Sequence, residues 1–392
     1  MNNREFLFNF ILLHLLQFLL NCQSCHEEKR NIELLKCDNE KNIIKGWIQK
    51  VLSKEYFKED FKLTKIHTCH DDILSEAQVC SWGDCGEGHT GAGSITLSGG
   101  RVVTGSWTRG RLSGWVRRAQ GTEGSYSYYH NGCPQHSLVT RETEDWTLVA
   151  SHDPASGLVS GPAWLLYSNE EGVLYTLVSE DNAASGLNLA LFTGDNVTWL
   201  YPNLGTSLTG HFVAGTMLSA VRGEVSEVTM SDIGIPEIKI RESKDSEVYK
   251  FDPSTDVHLS SSPRVRDPYE KELLEVRKSS VPGAGSGVFA RRSLANNTIV
   301  GYFNGVHLDR EEVLGSGGEK SVYLVEGTWE GEMLDIPEEF QTWSNYQAST
   351  GHLINHSADS NVDYMECRHP RQGWILYSGI NWSFLAATGT AR

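Results

Sequence analysis

From about Gly86 onward, glycines bound short runs of Val, Leu, Thr, Trp and Tyr, and this punctuation restricts the chain more than any other feature. It is the texture of successive β-hairpins rather than helices. Two internal recurrences sharpen it. TLVASHDPASGL at 147–158 returns as TLVSEDNAASGL at 176–187, an offset of 29 positions, and TGSWTRG at 104–110 returns as TGHFVAG at 209–215. One hairpin cannot bury its apolar face alone, so recurrence on this scale marks a stack of supersecondary units. The aromatic at the fourth place, Trp107 or Phe212, fills the space between units, while the glycines allow tight turns and close backbone approach. The expected fold class is mainly β, with a β-hairpin array at 86–231.

At 392 residues, the whole chain is long enough for two or three domains. A content of 39% apolar and 21% charged residues suits a chain with a substantial buried core. The formal charge of -16 disfavours a general nucleic-acid partner and favours a basic one. Phe6 to Leu20 form an apolar run that follows Arg4 and ends near Asn21-Cys22, the pattern of a secretory h-region, with a buried helix as the alternative. It is short for a stable membrane span. The eight cysteines permit disulfides if the chain is secreted. Cys22 and Cys25, with His67, Cys69 or His70, form an irregular candidate zinc set, and no metal is expected there. Within 43–57, Ile43, Ile44, Trp47, Val51 and Tyr56 recur at near-helical intervals, which predicts an amphipathic helix.

Three motifs follow in fixed order: VPGAGSGVFA at 281–290, VGYFNGV at 300–306 and GHLINHS at 351–357, the last trailed by Asn361 and Tyr364. The first is a poor dinucleotide cradle, because RRSLANNTIV after it lacks a long helical run and a later acidic residue. A glycine-rich hairpin is the other reading. The second alternates bulky residues and ends in Asn304-Gly305, which predicts a strand entering a tight turn. In the third, the Asn355 amide offers a donor and an acceptor and His356 two ring nitrogens, although Asn355-His356-Ser357 is also a polar turn and a formal glycosylation acceptor.

Together these motifs, with CRHPRQG at 367–373, resemble the SET-domain protein-lysine methyltransferases. The G-x-aromatic-x-x-G units resemble MORN repeats. VYKFDPST at 248–255 and RDPYEKELLEV at 266–276 resemble segments preceding the catalytic domain of MORN-containing histone-lysine monomethyltransferases, so that the likeness covers roughly 86–380. It implies a leader and helical extension at 1–85, the array at 86–231, a connector at 232–269 and a SET domain at 270–392, incomplete at its C-terminus. It implies S-adenosylmethionine as cofactor, bound by Ala284, Ser286, Asn355 and His356. Phe303, Asn304 and Tyr364 would meet the substrate, and Tyr364 and Tyr302 would be catalytic. Where the family places a tyrosine hydroxyl this chain has Phe303, which has no hydroxyl. The family's later tyrosine pair is replaced by INWSFLAATGTAR at 380–392, so the terminal catalytic tyrosine is absent. The implied partner is a histone tail or another lysine-containing basic protein. A monomer in the nucleus, on the chromosome, is expected, without direct nucleic-acid binding or a membrane span; residues 6–20 raise the secretory alternative. A non-catalytic MORN-repeat scaffold or peptide-binding module is the alternative function.

Overall fold

An antiparallel sheet of 15 strands runs from Ala77–Cys80 to Val248–Lys250, nearly every strand pairing with its successor in the chain. The computed structural model describes residues 40–380 apart from 59–72, 82, 84, 86–87, 122, 136, 143–145, 154–157, 168–171, 180–187, 232–233, 245–246, 280–282, 284, 295–297, 316–320, 328–330 and 356–361. The mainly β class expected from the glycine punctuation is what the chain adopts. The sheet begins ahead of 86 and continues past 231, because Pro236–Glu242 and Val248–Lys250, inside the stretch read as a connector, both pair with Thr216–Met230.

The two recurrences have different structural meanings. In the first unit of the TGSWTRG pair, Val102–Thr108 turns into Arg111–Gln120 through Arg109 and Gly110, at φ 50° and 75°. In the second, Thr206–Val213 turns into Thr216–Met230 through Ala214 and Gly215, at φ 47° and 80°. Positive φ at both central residues matches the right-handed strand twist and closes a two-residue hairpin. Trp107 and Phe212 are buried in both units. The 29-residue recurrence behaves otherwise. Thr147 lies opposite Leu166 and Thr176 opposite Ala163, both on the shared strand Leu158–Tyr167. Those partners are an odd number of residues apart, so the two copies face opposite sides of the sheet. Leu148 is accordingly buried, while its counterpart Leu177 is half exposed.

Both faces of the central strands are covered. Leu148, Ala150, Leu165, Leu174, Trp199 and Tyr201 join one cluster; Val149, Trp164, Leu166, Val173, Tyr175 and Leu200, alternating with them, join another. A helix at 40–52 covers the second face. Trp47 packs 5.3 Å from Trp164, and Phe57, beyond the helix, stacks 4.0 Å from Tyr126. Ile44, Trp47, Val51 and Tyr56 are buried as the periodicity predicts; Ile48 joins them and Ile43 turns outward. The first face is covered from the C-terminal side, where Tyr269 lies 5.0 Å from Tyr201 and 6.1 Å from Tyr302.

That C-terminal part contains three small antiparallel sheets. Leu274–Lys278 pairs with Ser286–Ala290. Ile299–Phe303 pairs with Gly373–Ile380, which pairs with Val362–His369. Val306–Asp309 and Val325–Glu326 flank Glu332–Asp335. Cys80 and Cys85 form a disulfide, Cys133 is also disulfide-bonded, and Cys367 is a buried thiol. No helix among the described residues is long and apolar enough to cross a membrane. Nor do three His, Cys, Asp or Glu side chains among them gather as metal ligands. The Phe6–Leu20 run and the Cys22, Cys25, His67, Cys69 and His70 set lie outside the described residues.

Candidate functional site

A buried carboxyl pair braces the C-terminal sheets. Asp267 caps the helix Pro268–Leu273, accepting hydrogen bonds from the Tyr269 and Glu270 amides, with Pro268 at the first helical position. Its Oδ2 accepts from His369 Nε2 at 3.0 Å. His369 Nδ1 accepts from the amides of Arg371 and Gln372 at 3.2 and 3.1 Å, so the ring proton resides on Nε2. Glu270 Oε1 accepts from Tyr302 N at 2.7 Å, Thr350 N at 3.0 Å and Thr350 Oγ1 at 2.7 Å. Burial, reinforced by the negative charge of Asp267, pushes the Glu270 carboxyl above the ordinary carboxylate range. One side chain thus ties the helix to the second motif and to Thr350, immediately before the third. The Asp-Pro pair signals the helix start in sequence, but nothing local reveals that Glu270 turns inward.

Asn355 meets the glycine-rich strand. Its Nδ2 donates to Ser279 Oγ at 3.4 Å, and a Cβ added to Gly287 would lie 2.9 Å from that nitrogen. Ser286 and Asn355 are exposed beside this contact. The first and third motifs therefore converge at the position where the resemblance puts a cofactor; Ala284 and His356 lie outside the described residues. An exposed amide over a glycine backbone, with a serine next to it, offers donors and acceptors of the kind a zwitterionic amino-acid moiety takes.

The aromatic residues divide between two sides. Phe303 is buried, and Tyr364 meets it edge-on at 5.9 Å. The Tyr364 hydroxyl donates to the Gly351 carbonyl at 3.2 Å, and burial of that end pushes the phenol up, so it stays protonated, while part of the residue is exposed. Tyr302 points from the other face of the same strand, its ring 4.5 Å from His369 and within the main core. Asn304 is also committed internally: Nδ2 donates to Leu259 O and Tyr346 Oη, both at 3.3 Å, and Oδ1 accepts from Ser254 Oγ at 2.9 Å. The geometry thus groups Phe303 with Tyr364 and commits Tyr302 and Asn304 to other parts of the interior; Phe303 is itself buried, and Tyr364 is the exposed one of the four.

Ser254, His307 and Glu332 form a serine-histidine-carboxylate chain, with 3.0 Å from Ser254 Oγ to His307 Nε2 and 2.6 Å from His307 Nδ1 to Glu332 Oε1. It does not make a nucleophile. The serine proton is given to Asn304 Oδ1, and Ser254 is buried. The chain instead fastens the segment after Val248–Lys250 to the strand Val306–Asp309.

No family profile matches the chain. Over 200 residues it is 33% identical to the protein named Histone-lysine N-methyltransferase SETD7 from Halocynthia roretzi, covering 51% of this chain and 50% of that protein. The chain spans about half the length of this curated relative.

Proposed function

We propose that this chain is a SET-type protein-lysine methyltransferase that uses S-adenosylmethionine and acts on a histone tail or another basic protein. The observation that carries the proposal is the convergence of Asn355 on Gly287 and Ser279, residues about 70 positions apart in the sequence. The similarity to a histone-lysine methyltransferase supports it. Ser286 and Asn355, with Ala284 and His356, would hold the cofactor, which when bound supplies a methyl group activated by a sulfonium.

The chain's own residues act by position. Phe303 and Tyr364 form an apolar wall for the aliphatic part of a lysine; burial against such a wall disfavours the ammonium and favours the neutral, nucleophilic amine. Tyr364, neutral and pinned to Gly351, holds its ring at a fixed angle, which is what a reaction governed by alignment needs. Tyr302 and Asn304 keep that wall in place from behind. Asp309, Glu311, Glu312, Glu338 and Glu339 are exposed on the C-terminal part, and negative charge there suits the steering of a basic peptide.

The hairpin sheet, read as MORN-like at 86–231 and carried on by strands within 232–269, would act with a SET module at 270–392 in a monomer. Nuclear, chromosomal action follows from the histone reading, whereas the Cys80–Cys85 disulfide favours an oxidising compartment. Thiol counting on the protein recovered from nuclei and from culture medium separates the two. The activity is tested by transfer of labelled methyl groups to histone peptides. Asn355→Ala should weaken cofactor binding by at least about tenfold, as expected for loss of a buried polar anchor upon binding. Cofactor affinity unchanged in Asn355→Ala overturns the site, and cofactor binding without transfer to any basic peptide overturns the activity.

A further inference from the structure

His352 is a buried polar side chain with both of its polar atoms unspent. It sits in the single turn Gly351–Leu353, is only 6% exposed, and neither ring nitrogen has a hydrogen-bond partner among the described residues. Its ring lies 5.3 Å from Tyr346 and 6.4 Å from Tyr323. Tyr346 packs against the ring without bonding to it; its hydroxyl accepts from Asn304 Nδ2 and Ser349 Oγ. Tyr323 packs in the same apolar cluster as Phe303, and Gly351 presses against the Phe303 backbone so closely that a Cβ there would come within 2.8 Å of Phe303 Cα. The Tyr364 hydroxyl is spent on the Gly351 carbonyl. Burial holds the imidazole down at about 4, so at neutral pH it has one N–H and one bare nitrogen. Unpaired polar atoms buried this deeply signal a missing partner.

We infer that His352 is a substrate-contact residue whose bare ring nitrogen accepts a hydrogen bond from the amino group of the acceptor lysine; this deepens, and rests on, the methyltransferase reading. A neutral acceptor suits such a contact because it attracts an N–H of either the amine or the ammonium, whereas an imidazolium would repel the cation. The contact also discriminates by chemistry. A trimethylated lysine has the same charge and no N–H to give.

The test uses the full chain labelled with 15N-histidine and two peptides of one basic sequence, carrying lysine or trimethyllysine. The unprotonated ring nitrogen of His352 should shift with the lysine peptide and stay in place with the trimethyllysine peptide. His352→Phe should weaken lysine-peptide binding about tenfold, the scale of a hydrogen bond to a charged group. It should leave trimethyllysine-peptide and S-adenosylmethionine binding within about twofold and the melting temperature undiminished, since a ring of similar shape replaces unsatisfied polar atoms. A His352 signal indifferent to the lysine peptide, or equal weakening toward both peptides, overturns the inference. If the variant fails to fold, the titration of the unaltered chain still decides. A lysine-specific shift without methyl transfer upholds the amine contact and removes the methyltransferase reading; transfer with a silent His352 does the reverse.

Discussion

Gly105 and Gly210 occupy the same place in the TGSWTRG and TGHFVAG units, yet substitution by alanine should affect them unequally. A Cβ on Gly210 would fall 2.2 Å from Ser219 O and 2.6 Å from Ala220 Cα, both backbone atoms of the paired strand. Relief requires the strands to part by about 1 Å, which weakens the pairing around Gly210 and Ala220; overpacking of this kind costs ~1–3 kcal/mol, at the upper end where backbone must move. A Cβ on Gly105 would instead meet Val116 Cγ2 at 2.9 Å and Trp115 O at 3.3 Å, and a valine methyl can give way. Against either cost stands a gain of ~0.4–1 kcal/mol from the stiffer unfolded chain. Gly210→Ala should therefore lose about 2 kcal/mol, and Gly105→Ala between nothing and about 1 kcal/mol. Urea denaturation followed by tryptophan fluorescence measures both, with unchanged slopes confirming comparable unfolding. Equal losses, or a greater loss at Gly105, would refute the claim that the backbone contact governs the difference.

Trp47→Ala, which uncovers Trp164, should cost ~3–5 kcal/mol and raise amide exchange in the strands beneath the helix. The Asp252 carboxyl is raised by burial but lowered more by bonds from Ser260, His258 and Ser261, to about 2. Its folded value is depressed, so its stabilisation is present above the ordinary 3.8 and lost as pH falls toward 2; Asp252→Asn should remove about 1–2 kcal/mol of that acid-sensitive stability in calorimetric scans at several pH values. Glu270 has the opposite sign. The folded chain keeps a proton that the unfolded chain releases, so its contribution declines as pH rises above the normal carboxylate range, and Glu270→Gln should flatten stability against pH there. A steeper slope in that variant would show that Glu270 is ionised in the fold.

The hairpin texture was legible because glycine placement and strand-length apolar runs are local properties. Arg109-Gly110 and Ala214-Gly215 close their turns as the recurrence suggests, and the Ile44, Trp47, Val51 stripe is buried as its spacing predicts. Recurrence alone does not give the face at 147 and 176, since the face a strand residue adopts depends on the partner's register, and that is set across the sheet.

At the site, motif order brought Asn355, Phe303 and Tyr364 into view, but identical residue types do not reveal what their atoms bond. Tyr302 and Asn304 were equally plausible participants in sequence, and tertiary packing commits them to the interior. Asp267, Glu270 and His369 acquire their roles only when segments 32 to 102 residues apart meet. Sequence by itself determined a mainly β chain with a glycine-strand and Asn355 pairing worth seeking. Tertiary structure decided which faces are covered, which glycine touches backbone, and that His352 has no hydrogen-bond partner among the described residues, because burial and pairing are properties of neighbours rather than of position in the chain.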